Sequence, residues 1–262
     1  MQSEIESHIA AVTALYEPLI VGGGSTLQGG AKLWSQFQSA VAACHSNITP
    51  RMISALLERV NELVVARLLL IDPKREGELH YEPAIIPDGR RIDFVIFGGS
   101  ENTYIEVKTV HPQAEDSEGR WQKYLTRREH HTEDTHYIVE KRWMGAQLYG
   151  NSFSARGHFF DYACEFEARL AAAMAARPGR GILAFCGTGW SWHLSELEDF
   201  ADFYVTGRHR PDDPFSRMEA HGIEGKKIEL LRNISAFAFV KRGMERVKPS
   251  RCVMPVRGPR IP

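Results

Sequence analysis

Residues 90–110, RRIDFVIFGGSENTYIEVKTV, constrain the fold more than any other stretch of the chain. Ile92, Phe94 and Ile96 recur with a period of two before a turn sequence, Gly98-Gly99-Ser100-Glu101, and Ile105 and Val107 do so after it. Such alternation predicts strands, and a four-residue glycine-containing loop between them predicts an antiparallel hairpin. With that loop length, Phe97 faces Asn102, Asp93 faces Glu106 and Arg91 faces Lys108. One side of the hairpin then carries Ile92, Phe94, Ile96, Ile105 and Val107, and the other carries Asp93, Glu106 and Lys108.

The apolar side needs a partner, and residues 51–70 supply one. Positions 53, 56, 57, 60, 63, 64 and 68 are apolar, which is helical spacing. Asn47 to Pro50 reads as the start of this helix and Asp72-Pro73 as its end. Further helices are expected over residues 3–19, 31–46, 117–129, 158–176 and 196–204, and further strands near 136–140, 181–186 and 228–240. The glycine-rich segment 21–30 reads as a loop, not a phosphate-binding loop, because no Gly-Lys-Ser/Thr closes it. No repeat or linker divides the 262 residues, so a single elaborated domain is expected, with a core near 51–140 and a C-terminal extension over 207–262.

The polar side of the hairpin carries the chemistry. Opposed residues have Cβ atoms about 5 Å apart, so Asp93 and Glu106 would repel without a cation between them. Carboxylate oxygens suit Mg²⁺, and Mn²⁺ as a substitute. The backbone carbonyl of Val107 would add one more oxygen. Lys108, two residues from Glu106, points to the same side. There it can orient a water or stabilise charge developing on a phosphate.

These residues resemble the core of the PD-(D/E)xK nuclease superfamily, the restriction-endonuclease-like fold. Asp93 matches the motif aspartate, and Glu106-Val107-Lys108 matches its Glu-x-Lys. Ile92 stands where the family often has proline. The resemblance implies an α/β fold with a central mixed β-sheet flanked by helices. It also implies a glutamate on the preceding helix, for which Glu62 is the candidate and Glu58 the alternative. A polar residue on the helix after Glu-x-Lys corresponds to Gln122. The implied activity is Mg²⁺-dependent hydrolysis of DNA, with a restriction or defence role by analogy. Two alternatives stay open: a nucleic-acid-binding or protein-interaction module that keeps the fold without catalysis, and an RNA-directed nuclease.

Arg120, Lys123, Arg127 and Arg128 form a basic stretch beside the proposed site, suited to phosphates or equally to solvent. A second basic run, from Lys241 to Arg260, contains one acid, Glu245. The net charge of −1 gives no overall pull on nucleic acid. His130, His131 and His136 sit in a polar HHTEDTH segment that reads as a loop and not as a zinc site. Four scattered cysteines without a CxxC pair fit free thiols in a reducing compartment. An acidic N-terminus and no apolar run of membrane length lead to the expectation of a cytoplasmic protein with no membrane partner. Assembly as a homodimer is left open.

Overall fold

The computed structural model describes residues 2–22, 24–46, 49–98, 101–110, 138–143, 146–151, 153–187, 233–243 and 246–255. The chain begins with three helices: α1 (Gln2–Ile20), α2 (Gly30–Ser46) and α3 (Pro50–Leu70). The short strand β1 (Leu27–Gln28) lies between the first two, inside the segment expected to be loop. Thr49 caps α3, its side chain accepting from the Met52 amide at 3.2 Å, and Pro50 opens the first turn. Proline is favoured there because its missing N–H would have had no partner. Then come β2 (Glu78–Tyr81), β3 (Phe94–Phe97) and β4 (Asn102–Val110). A separate pair, β5 (Ile138–Trp143) and β6 (Ala146–Asn151), precedes the long helix α4 (Phe153–Ala176). The chain continues through β7 (Gly179–Gly187), β8 (Ile234–Gly243) and β9 (Arg246–Pro255).

Seven strands form one mixed sheet in the order β1-β2-β3-β4-β7-β8-β9. β4, β7 and β8 run parallel, while β2–β3, β3–β4 and β8–β9 are antiparallel. The protein is therefore α/β, with a mixed sheet and helices on both faces. The β3–β4 register, Phe94↔Ile105, Val95↔Tyr104 and Ile96↔Thr103, is the one the hairpin loop predicts.

Alternation along the strands sorts the core into two layers. Phe94, Ile105, Val107, Ala184, Cys186, Ala238 and Val240 pack with residues of α1, α2 and α3. Val95, Tyr104, Leu183, Phe185, Phe237 and Phe239 pack with Phe159, Ala163, Phe166 and Leu170 of α4. A sheet buried on both faces reads as nearly continuous apolar sequence, as in β7 and β8. Ile92 corrects one expectation. It joins the α4 layer with Val95 and Tyr104, not the α3 layer with Phe94. The ladder starts only at Phe94, so strict alternation does not extend back to residue 92.

Strand β2 is a further departure. Its four residues, ELHY, include Glu78 and His80 and lack a long apolar pattern. It forms because β3 offers a free edge. Strand β9 contains Pro249, which is tolerated because β9 ends the sheet. The start of β2 depends on Gly77, whose φ of 102° is in the left-handed region and whose Cβ, if present, would lie 2.3 Å from the Phe97 carbonyl oxygen. Gly77→Ala is expected to lower stability by about 1–3 kcal/mol. A urea-unfolding midpoint equal to wild type would contradict this.

The expected helices 117–129 and 196–204, and the loop 207–226, lie outside the described residues. Among the described residues, no helix is long and apolar enough to cross a membrane.

Candidate active site on strand β4

In open α/β sheets, ligands collect beyond the carboxyl ends of parallel strands. Lys108 lies in the carboxyl-terminal half of β4, and Glu106 is the strand's central residue. Asp93 immediately precedes β3 on the neighbouring strand and is tied on two sides. Its backbone carbonyl accepts from the Glu82 amide at 2.8 Å, and its Oδ2 accepts from the Val107 amide at 2.7 Å. Val107 thus meets Asp93 through its N–H. Burial pushes the Asp93 carboxyl well above the usual carboxylate range, and the charges of Glu106 and then Glu62 push it further. The Val107 N–H and Lys108 oppose the rise.

Glu106 is 2% exposed. Its two oxygens have different surroundings. Oε1 accepts from Arg169 Nη2 in a very short contact and lies 3.3 Å from Lys108 Nζ. Oε2 is buried and has no hydrogen-bond partner. Lys108 also reaches Glu165 Oε2 at 3.4 Å and lies over the Tyr162 ring, 5.3 Å from its centroid. Tyr162, Glu165 and Arg169 all belong to α4, so that helix covers the polar side of β4.

Glu62 is held elsewhere. Arg59 Nη1 donates to both of its oxygens at 2.8 Å, and Tyr81 Oη lies 2.7 Å from Oε2. Tyr81 Oη is also 2.6 Å from Gln36 Oε1, which lies 3.1 Å from Arg59 Nη1. A phenol has one proton, so Tyr81 donates to only one of these two oxygens at a time. Burial raises Glu62 to about 7, against the lowering effect of Arg59 and the Tyr81 hydrogen bond. Tyr81→Phe is expected to raise Glu62 further and to cost about 1–2 kcal/mol. The cost should be larger at pH 9 than at pH 5, because the ionised carboxylate loses a donor. Equal losses at both pH values, by urea unfolding, would argue against this.

Asp93, Glu106 and Lys108 are therefore brought together, while Glu62 is within electrostatic reach of Asp93 but committed to Arg59 and Tyr81. Among the described residues, no three His, Cys, Asp or Glu side chains converge as a metal-binding group. Gln122, Arg120, Lys123, Arg127 and Arg128 lie outside the described residues, as do the three clustered histidines. Arg169 is not marked by any motif in the sequence. Its only local signal is a polar position flanking the buried stripe Ala163, Phe166, Leu170 and Ala173 of α4.

The donor set fits a hard divalent cation. A buried carboxylate oxygen with no partner is costly, and it belongs to the residue whose charge raises Asp93. A cation accepting both carboxylates would remove both penalties. Compared with family models, with curated proteins and with solved structures, the chain matches none.

Proposed function

We propose that this chain is a divalent-metal-dependent nuclease that hydrolyses phosphodiester bonds in DNA, built on a restriction-endonuclease-like core. The unpartnered buried Oε2 of Glu106, on the residue beside Asp93, is the observation that carries this reading. A mixed sheet with helices on both faces, and a Glu-x-Lys strand paired to the strand that follows Asp93, supports the choice of fold.

Asp93 and Glu106 would hold Mg²⁺ or Mn²⁺, which supplies an acidified water and neutralises charge gathering on the phosphate. Lys108 contributes a positive charge one β-period from Glu106 and retains some solvent contact, at 21% side-chain exposure. That placement lets it orient a water or stabilise negative oxygen in the transition state. Glu62 supports the site electrostatically, through Asp93. Gln122 and the basic residues Arg120, Lys123, Arg127 and Arg128 complete the reading as contacts to the nucleic acid.

A second reading has its own observation. Glu106 is ion-paired with Arg169, as a fold kept for binding without hydrolysis would allow. Incubation of purified protein with linear, circular and single-stranded DNA, and with RNA, in Mg²⁺ or Mn²⁺ separates the two. Cleavage of DNA that chelator stops and Asp93→Asn removes is the expected result. Binding of nucleic acid with no cleavage of any substrate would favour the second reading, and cleavage of RNA alone would change the substrate.

A further inference from the structure

We propose that Arg169 is a positioning residue that presents Glu106 Oε2 to the metal; this rests on the metal-binding role of Asp93 and Glu106. Arginine and carboxylate usually meet as two parallel bonds that occupy both oxygens. Here the pair is one-sided. Arg169 Nη2 bonds Glu106 Oε1, while Nη1 donates to the Arg91 carbonyl oxygen at 3.0 Å. Arg91 lies two residues before Asp93, so one planar guanidinium links both carboxylate-bearing segments. Nε completes the arrangement with a 3.5 Å contact to the Glu165 carbonyl on its own helix.

The second cation makes the same choice of oxygen. Lys108 Nζ also approaches Oε1, at 3.3 Å. Two positive groups therefore share one oxygen of Glu106 and leave the other bare. A pair serving only to neutralise a buried glutamate would gain by covering Oε2 as well. The geometry instead fixes the side-chain rotamer of Glu106 and keeps Oε2, though buried, free of any hydrogen-bond donor. The fork matters as much as the charge: a lysine at 169 is a single point charge and cannot bridge Glu106 and Arg91 with fixed geometry.

The two possible roles of Arg169 give opposite signs. If it is only a countercharge, Arg169→Lys leaves Mn²⁺ affinity unchanged and Arg169→Gln raises it, because repulsion of the incoming cation is relieved. If it positions Glu106, both variants bind Mn²⁺ more weakly. Loss of a group that orients a metal ligand typically costs about ten- to a hundredfold in affinity. Titration calorimetry with Mn²⁺ on wild type, Arg169→Lys, Arg169→Gln and Asp93→Asn is the measurement, with the unfolding midpoint of each in chelator. Arg169→Lys is the deciding variant, since it keeps the charge that stabilises buried Glu106. Its affinity should fall by about ten- to a hundredfold, while its midpoint in chelator stays near wild type. A purely structural role would move the midpoint and leave the affinity of the folded protein alone. Arg169→Lys binding as tightly as wild type, with Asp93→Asn impaired, overturns the positioning role and leaves the metal centre standing. Equal Mn²⁺ binding by wild type and Asp93→Asn removes the metal centre itself, and the role of Arg169 with it.

Discussion

Lys108→Met is expected to lower metal-dependent DNA cleavage by about 10²–10³-fold, or about 3–4 kcal/mol of transition-state stabilisation. Methionine keeps the length of the stem and its packing against Tyr162, and removes only the charge. The stability cost should stay within about 1 kcal/mol, because the lost ion pair with Glu165 is at the surface and Arg169 still holds Glu106. Mn²⁺ affinity should hold or rise, since a cation leaves the neighbourhood of Glu106. That combination, intact binding with lost turnover, distinguishes a group acting on the phosphate or water from one that builds the site. Single-turnover cleavage, calorimetric Mn²⁺ titration and thermal unfolding measure the three parts. Cleavage within a factor of two of wild type would make Lys108 an ordinary surface charge.

Asp93→Asn is expected to move function and stability in opposite directions. Cleavage should fall by roughly a hundredfold or more, because one of the two carboxylates proposed to hold the metal is gone. In chelator at pH 8 the variant should be more stable than wild type. The folded-state pKa of Asp93 is raised, so its effect on stability runs opposite to that of a salt-bridged aspartate. As pH rises past the unfolded value, the unfolded chain gives up the proton first, and stability falls until the folded protein also releases it. Glu62, raised from 4.5 to about 7, contributes in the same direction, its share being lost as pH rises between those two values. Asparagine removes the Asp93 share of this penalty and can still accept from the Val107 amide. The advantage of Asp93→Asn should therefore shrink toward pH 4, where the folded aspartate keeps its proton and the unfolded one is only about half ionised. Metal reverses the order at pH 8. Wild type should gain about 2.7 kcal/mol with Mn²⁺ at a hundred times its dissociation constant, and the variant far less. Urea unfolding at pH 4 and pH 8, with and without Mn²⁺, tests all of this; a variant less stable than wild type at pH 8 in chelator would contradict it.

These two variants also separate the candidate mechanism from the binding-only alternative. A module that binds nucleic acid without hydrolysis would show the pH dependence of Asp93, which is a property of the fold. It would not show a Mn²⁺-dependent gain that Asp93→Asn abolishes.

Local chemistry was enough to read the β3–β4 hairpin. Its register follows from a short loop and period-two alternation, both of which act between residues close in sequence. The helix at 50–70 was equally legible, because its apolar stripe and its Thr49-Pro50 start are contained in one segment. So was the pairing of Asp93 with Glu106-Val107-Lys108, since one hairpin carries all four. What surrounds them was decided by tertiary structure. Whether Glu106 is solvated or buried depends on α4, whose Arg169 is 63 positions away. Nothing in the spacing of that helix indicates which strand its polar residues will meet. Glu62 was legible as a polar residue on a half-buried helix, but its partners Tyr81 and Gln36 come from β2 and α2. Strand β2 itself had no adequate local pattern, because its pairing is stabilised by the edge that β3 presents. Ile92 went to the α4 layer because the ladder begins two residues later than alternation alone suggests. Sequence determines elements whose stabilising contacts are local. The unpartnered oxygen of Glu106, on which the proposed chemistry depends, arises only when a distant arginine and a neighbouring lysine converge on the other oxygen.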